Sequence, residues 1–440
     1  MSRALPSVAF VGRPNVGKST LFNRVIGRRQ AIVEDTPGVT RDRNFARADW
    51  AGREFYAVDT GGLEPGVDEA MASAIRRQVE AALAEAQVVA FVVDAKAGVQ
   101  PLDLKIADLL RRTEVPVVVL VNKVDRLPAD LSYLDFWELG LGEPHPVSAL
   151  SGKGSGDVLD VIVEHLPDAE EPPEDALSIA VIGKPNVGKS SFINRLLGEE
   201  RLVVSDMAGT TRDAVDTPMR YHGRLLMFVD TAGLRRQSRI HESLEFYSTL
   251  RTEQAVERSD VCLLLVDGTE PVHAQDLKIA EKAWDAGCGL VVVVNKWDLV
   301  DKETGTAEAF ERGLRERAPS LRWTPVIFTS ALTGQRVHKT LDRVLEVADE
   351  RARRVPTAEV NEALRELAAR QPPPHYRGHA VKLLYATQGG VNPPTFVIFV
   401  NHRNGITENY RRYLHNGFRE RWGFEGAPLR LKFRSRREER

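Results

Sequence analysis

Cysteine is nearly absent from this 440-residue chain: only Cys262 and Cys288 occur, too few for a disulfide framework. Cys262 lies in an apolar, strand-like run, so a buried free thiol is expected there rather than a disulfide. Long hydrophobic runs are missing too. None reaches the roughly 18 residues that a membrane-crossing helix requires, so no membrane association is expected. No signal peptide is read at the N-terminus, where the chain enters the apolar run 8–11 almost at once. These absences point to a cytoplasmic protein. What remains, 42% hydrophobic and 28% charged residues, is the composition of an ordinary globular chain, long enough for two or three domains that each bury a core.

A large net charge is also missing, since the total is only −2, but the balance is uneven. Residues 351–440 hold 18 Lys and Arg against 8 Asp and Glu, a net of +10; the preceding 350 residues hold 42 against 54, a net of −12. A basic module on an acidic body fits a polyanionic partner, and it equally fits a solvated basic surface with a frayed tail.

What the chain does contain is a long internal repeat. Gly12-Arg13-Pro14-Asn15-Val16-Gly17-Lys18-Ser19 returns 171 residues later as Gly183-Lys184-Pro185-Asn186-Val187-Gly188-Lys189-Ser190. The Thr-Arg-Asp at Thr40 and the one at Thr211 keep that offset, as do Asp59-Thr60-Gly61-Gly62-Leu63 and Asp230-Thr231-Ala232-Gly233-Leu234. Asn122-Lys123-Val124-Asp125 and Asn295-Lys296-Trp297-Asp298 stand 173 apart, as does the pentapeptide Asp-Leu-Lys-Ile-Ala at 103–107 and 276–280. Ser148-Ala149-Leu150 and Ser330-Ala331-Leu332 close the series at 182. The offset changes only between motifs, where loops absorb length differences, so a whole domain is duplicated.

Each motif carries a defined chemistry. The loop G-x-x-x-x-G-K-[ST] cradles phosphates with backbone N–H groups at a helix N-terminus. In it Gly12, Asn15, Val16, Gly17, Lys18, Ser19 and Thr20, and their counterparts Gly183, Asn186, Val187, Gly188, Lys189, Ser190 and Ser191, are candidate nucleotide contacts. Lys18 and Lys189 would reach the β and γ phosphates. Ser19, Thr40 and Asp59, and likewise Ser190, Thr211 and Asp230, are the candidate Mg²⁺ residues, with Thr40 and Thr211 closing over the metal when a γ-phosphate is present. Gly62 and Gly233 follow the acidic residue in each copy. The Asp125 and Asp298 carboxylates can each accept two hydrogen bonds from guanine N1–H and its 2-amino group, a pair that adenine lacks. Asn122 and Asn295 would touch the base edge and brace the loop, Lys123 and Lys296 would lie along the ring, and Ser148-Ala149 and Ser330-Ala331 would offer a backbone N–H to the guanine carbonyl. The expected ligands are therefore GTP and GDP. Many GTPases orient the attacking water with a glutamine next to this glycine; here Leu63 and Leu234 stand there, so either hydrolysis is crippled or another group orients the water and another cation supplies charge. Asn15 and Asn186 either ligate a monovalent cation beside the phosphates or only cap the loop.

Apolar runs at 8–11, 55–58, 88–93 and 117–121, matched at 179–182, 225–229, 261–266 and 290–294, alternate with amphipathic stretches. They predict two α/β domains with mainly parallel sheets covered by helices on both faces. The expected divisions are 1–166 for the first G domain, 167–176 for an acidic, proline-rich linker, 177–354 for the second G domain and 355–440 for a small α+β domain of order αββαβ. Residues 337–354 read as one helix. Phe396, Phe399 and Trp422 have core spacing, whereas Arg411, Arg412 and Arg419 share a helix that could face a polyanion, helped by Arg436 and Arg437.

Two such G domains followed by a small α+β domain resemble the ribosome-assembly GTPase family Der, also called EngA, over essentially the whole chain. The resemblance implies a cytoplasmic GTPase acting in maturation of the large (50S) ribosomal subunit, with the 50S subunit and its rRNA as partners, a KH-like third domain and a monomeric state. It implies K⁺ beside Mg²⁺, held through Asn15 and Asn186, because related GTPases with a hydrophobic residue in place of glutamine use potassium in that way. In one relative a glutamate positions water; Glu242 stands at the matching distance in the second copy and Met71 in the first. The only G-x-x-G in the third domain, Gly423-Phe424-Glu425-Gly426, carries a Glu where phosphate would approach, against single-strand clamping of the KH type. Competing expectations are a GTPase of tRNA modification or small-subunit assembly, and a nucleotide-gated docking scaffold.

Overall fold

The computed structural model describes residues 5–27, 45–60, 76, 79–80, 82–83, 86–125, 131–167, 176–199, 216–231, 245–301 and 303–435. Thr40, Gly62, Leu63 and Met71, their counterparts Thr211, Gly233, Leu234 and Glu242, most of the linker, and Arg436 and Arg437 lie outside the described residues. The chain divides into two compact units, one holding residues 3–171 and the other residues 172–241 and 252–440.

In the first repeat the strands are β1 (Ser7–Val11), β2 (Phe45–Trp50), β3 (Arg53–Asp59), β4 (Val88–Asp94), β5 (Val117–Asn122) and β6 (Pro144–Pro146), in the spatial order β2-β3-β1-β4-β5-β6. Only the β2–β3 pair is antiparallel. β2 and β6 carry no strand signal in the sequence, the first because its two buried residues, Phe45 and Ala48, stand three apart and break a period of two, the second because three residues leave no period. The unbroken apolar runs of β1, β4 and β5 arise because both faces are covered. Val11, Phe91 and Val121 face a core with Ile106 and Leu110 of the helix Pro101–Leu110. Phe10, Val92 and Leu120 face another with Leu21 of the helix Lys18–Gly27 and Ile162 of the helix Ser155–Glu164.

The second repeat has the same plan. Its strands β7 (Leu177–Ile182), β8 (Thr217–Tyr221), β9 (Arg224–Phe228), β10 (Val261–Asp267), β11 (Gly289–Asn295) and β12 (Val326–Phe328) run in the order β8-β9-β7-β10-β11-β12, again with one antiparallel pair. Cys262 and Cys288 are buried free thiols. In both sheets the strand order reverses between the first strand and its neighbour, which puts a ligand-binding crevice beyond the strands' C-terminal ends.

The third sheet is β13 (Leu383–Gly390), β14 (Thr395–Val400) and β15 (Arg430–Ser435), with β14 antiparallel to β13 and parallel to β15. The helices Thr357–Arg370 and Glu408–Trp422 cover one face, where Phe396, Ile398, Leu364, Leu414 and Phe418 form the core. Trp422 stacks on Phe396 with ring centroids 5.6 Å apart, but Phe399 is not a core residue. Period-two alternation sends it to the uncovered face, where it stacks at 4.3 Å on Tyr385, itself 47% exposed. Tyr410 and Tyr413 are structural: their hydroxyls donate to the Gln371 and Leu367 carbonyls.

Arg419 also departs from expectation. It is fully buried, donating to the carbonyls of Gly423, Phe424 and Ala427 while its guanidinium lies 5.4 Å from the Trp284 ring centroid of the second repeat. Burial lowers its pKa to about 10. The G-x-x-G turn that it holds is spent on packing between domains. The Gly426 N–H donates to the Trp323 carbonyl and its C=O accepts the Leu290 N–H at the start of β11, both at 2.7 Å. A Cβ at Gly426, where φ is +70°, would meet Val347 at 2.4 Å.

Candidate nucleotide sites

The phosphate loops follow β1 and β7 and run into helices that begin at Lys18 and Lys189. Each loop needs backbone conformations that side chains resist. Gly17 and Gly188 adopt φ of +98° and +96°, and a Cβ there would stand 2.3 and 2.4 Å from the Asn122 and Asn295 side-chain nitrogens. Asn15 and Asn186 both adopt φ of +65°, a region that Asn tolerates better than most residues. Their side chains are exposed at the loop rim and make no side-chain hydrogen bond among the described residues, so the capping role is not what this geometry displays. Lys18 crosses its loop, with Nζ 2.7 Å from the Gly12 carbonyl and 3.0 Å from that of Arg13. Lys189 repeats this at 2.8 and 2.6 Å with Gly183 and Lys184. Burial lowers the pKa of Lys18, with Asp59 opposing, and brings Lys189 down to about 8. An anionic phosphate would restore the charged form in both.

Ser19, Thr20 and Ser191 are exposed at the start of these helices, with Ser190 half-buried. Asp59 is buried at the end of β3, and Thr60 beside it donates to the Phe10 carbonyl at 2.8 Å. Asp230, at φ +57°, has its N–H held by Asp216, which in turn pairs with Arg258.

The base loops are tied directly to the phosphate loops. Asn122 Nδ2 donates to the Val16 carbonyl at 2.7 Å and its Oδ1 accepts the Ala149 N–H at 2.9 Å. In the second copy Asn295 makes the same two bonds to Val187 and Ala331, both at 2.9 Å. Those alanine N–H groups, expected to face the guanine carbonyl, are engaged by the asparagines in this state. Lys123, at φ +70°, sends Nζ to the Asn15 carbonyl at 2.8 Å and to Asp94 at 2.6 Å. Lys296 pairs with Asp267 at 2.6 Å. Around the second base loop, Gly188, Ser191, Asn295, Lys296, Asp298 and Ala331 line a groove of about 600 Å³.

Three further pairs support both sites and went unread as site residues. Arg24 donates to the Ala149 and Leu150 carbonyls, and Arg195 to those of Ala331 and Leu332, pinning the Ser-Ala-Leu loops. Asp94 and Asp267 hold the lysines of the base loops. Asp103 and Asp276, from the repeated pentapeptide, cap their helices and reach Arg13 and Lys184 inside the phosphate loops at 3.3 and 3.4 Å. The offsets of 171 and 173 that align the motifs also align these residues, so the repeat itself was the available signal.

A phosphate loop, an acidic strand end and an Asn-Lys-x-Asp loop, laced together along one sheet edge, define a P-loop GTPase domain, and this chain carries two, followed by a KH-like domain. The family model described as "50S ribosome-binding GTPase" matches residues 7–123 and 178–296, and that of the "KH-domain-like of EngA bacterial GTPase enzymes, C-terminal" matches residues 354–434. The chain is 57% identical over 432 residues to GTPase Der of Gemmatimonas aurantiaca, covering 98% of this chain and 99% of the relative. It is 50% identical to GTPase Der of Moorella thermoacetica, over 98% of this chain and 99% of that one. Against GTPase Der of Caldanaerobacter subterraneus subsp. tengcongensis it is 49% identical, with both chains fully covered. The chain belongs to the GTPase Der family.

Proposed function

We propose that this GTPase works in maturation of the large ribosomal subunit, as a monomer in the cytoplasm, with the 50S subunit and its rRNA as partners. Its working modules are residues 1–166, 177–354 and 355–440, joined by the linker 167–176. The observation that carries this reading is the combination of two complete sets of nucleotide-site motifs in the sequence with a basic third domain packed onto the second repeat. On that domain's uncovered sheet face, Lys432 and Arg434 are exposed on the strand beside Phe399, which stacks on Tyr385. Cations beside an accessible aromatic pair suit RNA, whose backbone is anionic and whose bases stack.

At each nucleotide site this chain's groups bind and orient the substrate. The loop N–H groups and Lys18 or Lys189 hold phosphate oxygens, and Asp125 or Asp298 reads the base. Asn122 or Asn295 keeps those two regions in register. The candidate metal residues Ser19, Thr40 and Asp59, and Ser190, Thr211 and Asp230, offer only oxygen donors, a set that suits Mg²⁺. Bound Mg²⁺ supplies neutralisation of charge on the β and γ phosphates. The free amides of Asn15 and Asn186 suit a K⁺ ion beside the same phosphates, where it would supply positive charge.

The test is co-sedimentation with purified 50S subunits. Truncation at residue 355 would bare the surface around Trp284 and Leu290, so charge reversal is the cleaner perturbation. Lys432→Glu with Arg434→Glu should weaken 50S binding and flatten its salt dependence, since each lost phosphate contact removes counterion release, while intrinsic GTP hydrolysis stays unchanged. Unaltered binding and salt slope would contradict the RNA reading of this face.

A further inference from the structure

The two base-reading carboxylates have different surroundings. Asp125 is engaged at both oxygens: Lys96 Nζ lies 2.7 Å from Oδ2, and the Ser148 hydroxyl donates to Oδ1 at 2.9 Å. A second cation, Lys153, reaches the Asp125 carbonyl at 3.4 Å. Together these neighbours hold the Asp125 carboxyl below its ordinary pKa, with the Lys96 bond the largest cause. In the second copy Thr269 stands in place of Lys96 and Gln335 in place of Lys153. The turn is conserved between copies while its use differs. Asp94 Oδ1 accepts the Lys96 N–H at 2.9 Å, and Asp267 Oδ1 accepts the Thr269 N–H at 2.9 Å. The Thr269 hydroxyl then folds back onto Asp267 at 2.6 Å, whereas the Lys96 side chain runs on to Asp125. Neither Thr269 nor Gln335 pairs with Asp298, and its buried Oδ1, the counterpart of the oxygen that accepts from Ser148 in the first copy, has no hydrogen-bond partner among the described residues.

We infer that Lys96 is an internal competitor for the guanine-reading carboxylate of the first site, setting its affinity and base discrimination apart from those of the second. Guanine N1–H and its 2-amino group must displace an ammonium from Asp125, whereas no ion pair among the described residues has to be broken at Asp298. Exchange of one partner for another returns less free energy than pairing an unpaired acceptor. Hypoxanthine, which lacks the 2-amino group, leaves one carboxylate oxygen without a donor. At the first site Lys96 re-pairs with that oxygen, and at the second nothing does, so the first site should penalise inosine nucleotides less.

The inference rests on Asp125 and Asp298 reading guanine, and the test separates the two claims. In the full-length chain, Asp298→Asn confines guanine nucleotides to the first site and Asp125→Asn confines them to the second. In the first background, Lys96→Thr should tighten GDP by about two- to fivefold, the range an exposed ion pair can carry, and raise the GDP-to-IDP affinity ratio. In the second background, Thr269→Lys should shift both quantities the other way. Weaker GDP binding by Lys96→Thr would mean that the lysine contacts the nucleotide, and unchanged affinity and ratio would mean that it is inert; either overturns the inference. If the Asp→Asn changes fail to shift preference from guanine toward xanthine, it is the base-site reading that fails.

Discussion

Asn295→Ala removes the one side chain that joins phosphate and base recognition in the second site. It strips a donor from the Val187 carbonyl and an acceptor from the Ala331 N–H, both bonded at 2.9 Å around a side chain with 1% exposure. Each backbone group left unpaired costs roughly 1–3 kcal/mol. In the nucleotide-free protein the loops can relax to satisfy these groups, and binding must then restore their register at about 2–4 kcal/mol, or roughly 30- to 1,000-fold in affinity. The assay is titration of a fluorescent GDP analogue into full-length protein carrying Asp125→Asn, so that only the second site reports. Gly188→Ala should produce a loss of the same kind with the asparagine intact, because its Cβ would press to 2.4 Å from Asn295 Nδ2. The double variant should lose less than the sum of the two, as expected of neighbours acting through one contact. A loss below about fivefold for Asn295→Ala, short of even one unpaired group, or full additivity with Gly188→Ala, would refute the linkage.

Three further outcomes follow from particular contacts. Arg419→Met leaves three carbonyls without a donor while relieving a buried charge, so it should destabilise the C-terminal domain by about 2–4 kcal/mol in chemical denaturation; an unchanged midpoint would contradict the docking role. Burial, with Arg419 nearby, lowers the pKa of His415 to about 4. The unfolded chain, with an ordinary histidine near 6.5, then binds more protons between those values, so stability should be complete above about pH 6.5 and fall as pH drops toward 4; His415→Gln should flatten that slope in denaturation series across the range. GTP hydrolysis should run faster in KCl than in NaCl at equal ionic strength, and an Asn15→Ala, Asn186→Ala variant that kept the difference would count against the potassium reading.

The repeated motifs were legible because each needs fixed residue types at fixed spacing, and the parallel sheets because strands covered on both faces write unbroken apolar runs. Other features depend on which surface the chain happens to cover. Alternation places Phe396 and Phe399 on opposite faces of β14, but nothing local says that helices cover only the first. Arg419 is one arginine among several on a helix, and its burial follows from the carbonyls of the turn that comes next and from Trp284 far off in sequence, neither of which a charge pattern marks. The turn itself spells a KH motif and serves as a domain contact, since a spelling records backbone freedom and not the partner that uses it. Lys96 and Thr269 mark the opposite case: the repeat aligned them, and only the geometry showed that their difference reaches the base-reading carboxylate.

The presence of two guanine sites in one chain is tested most directly by counting bound nucleotide under base selection. By isothermal titration the native chain should bind two equivalents of GDP and no XDP. Asp125→Asn and Asp298→Asn should each bind one equivalent of each nucleotide, and the double variant two of XDP and none of GDP. A native stoichiometry of one, or a substitution that leaves both base preference and stoichiometry as they were, would contradict it.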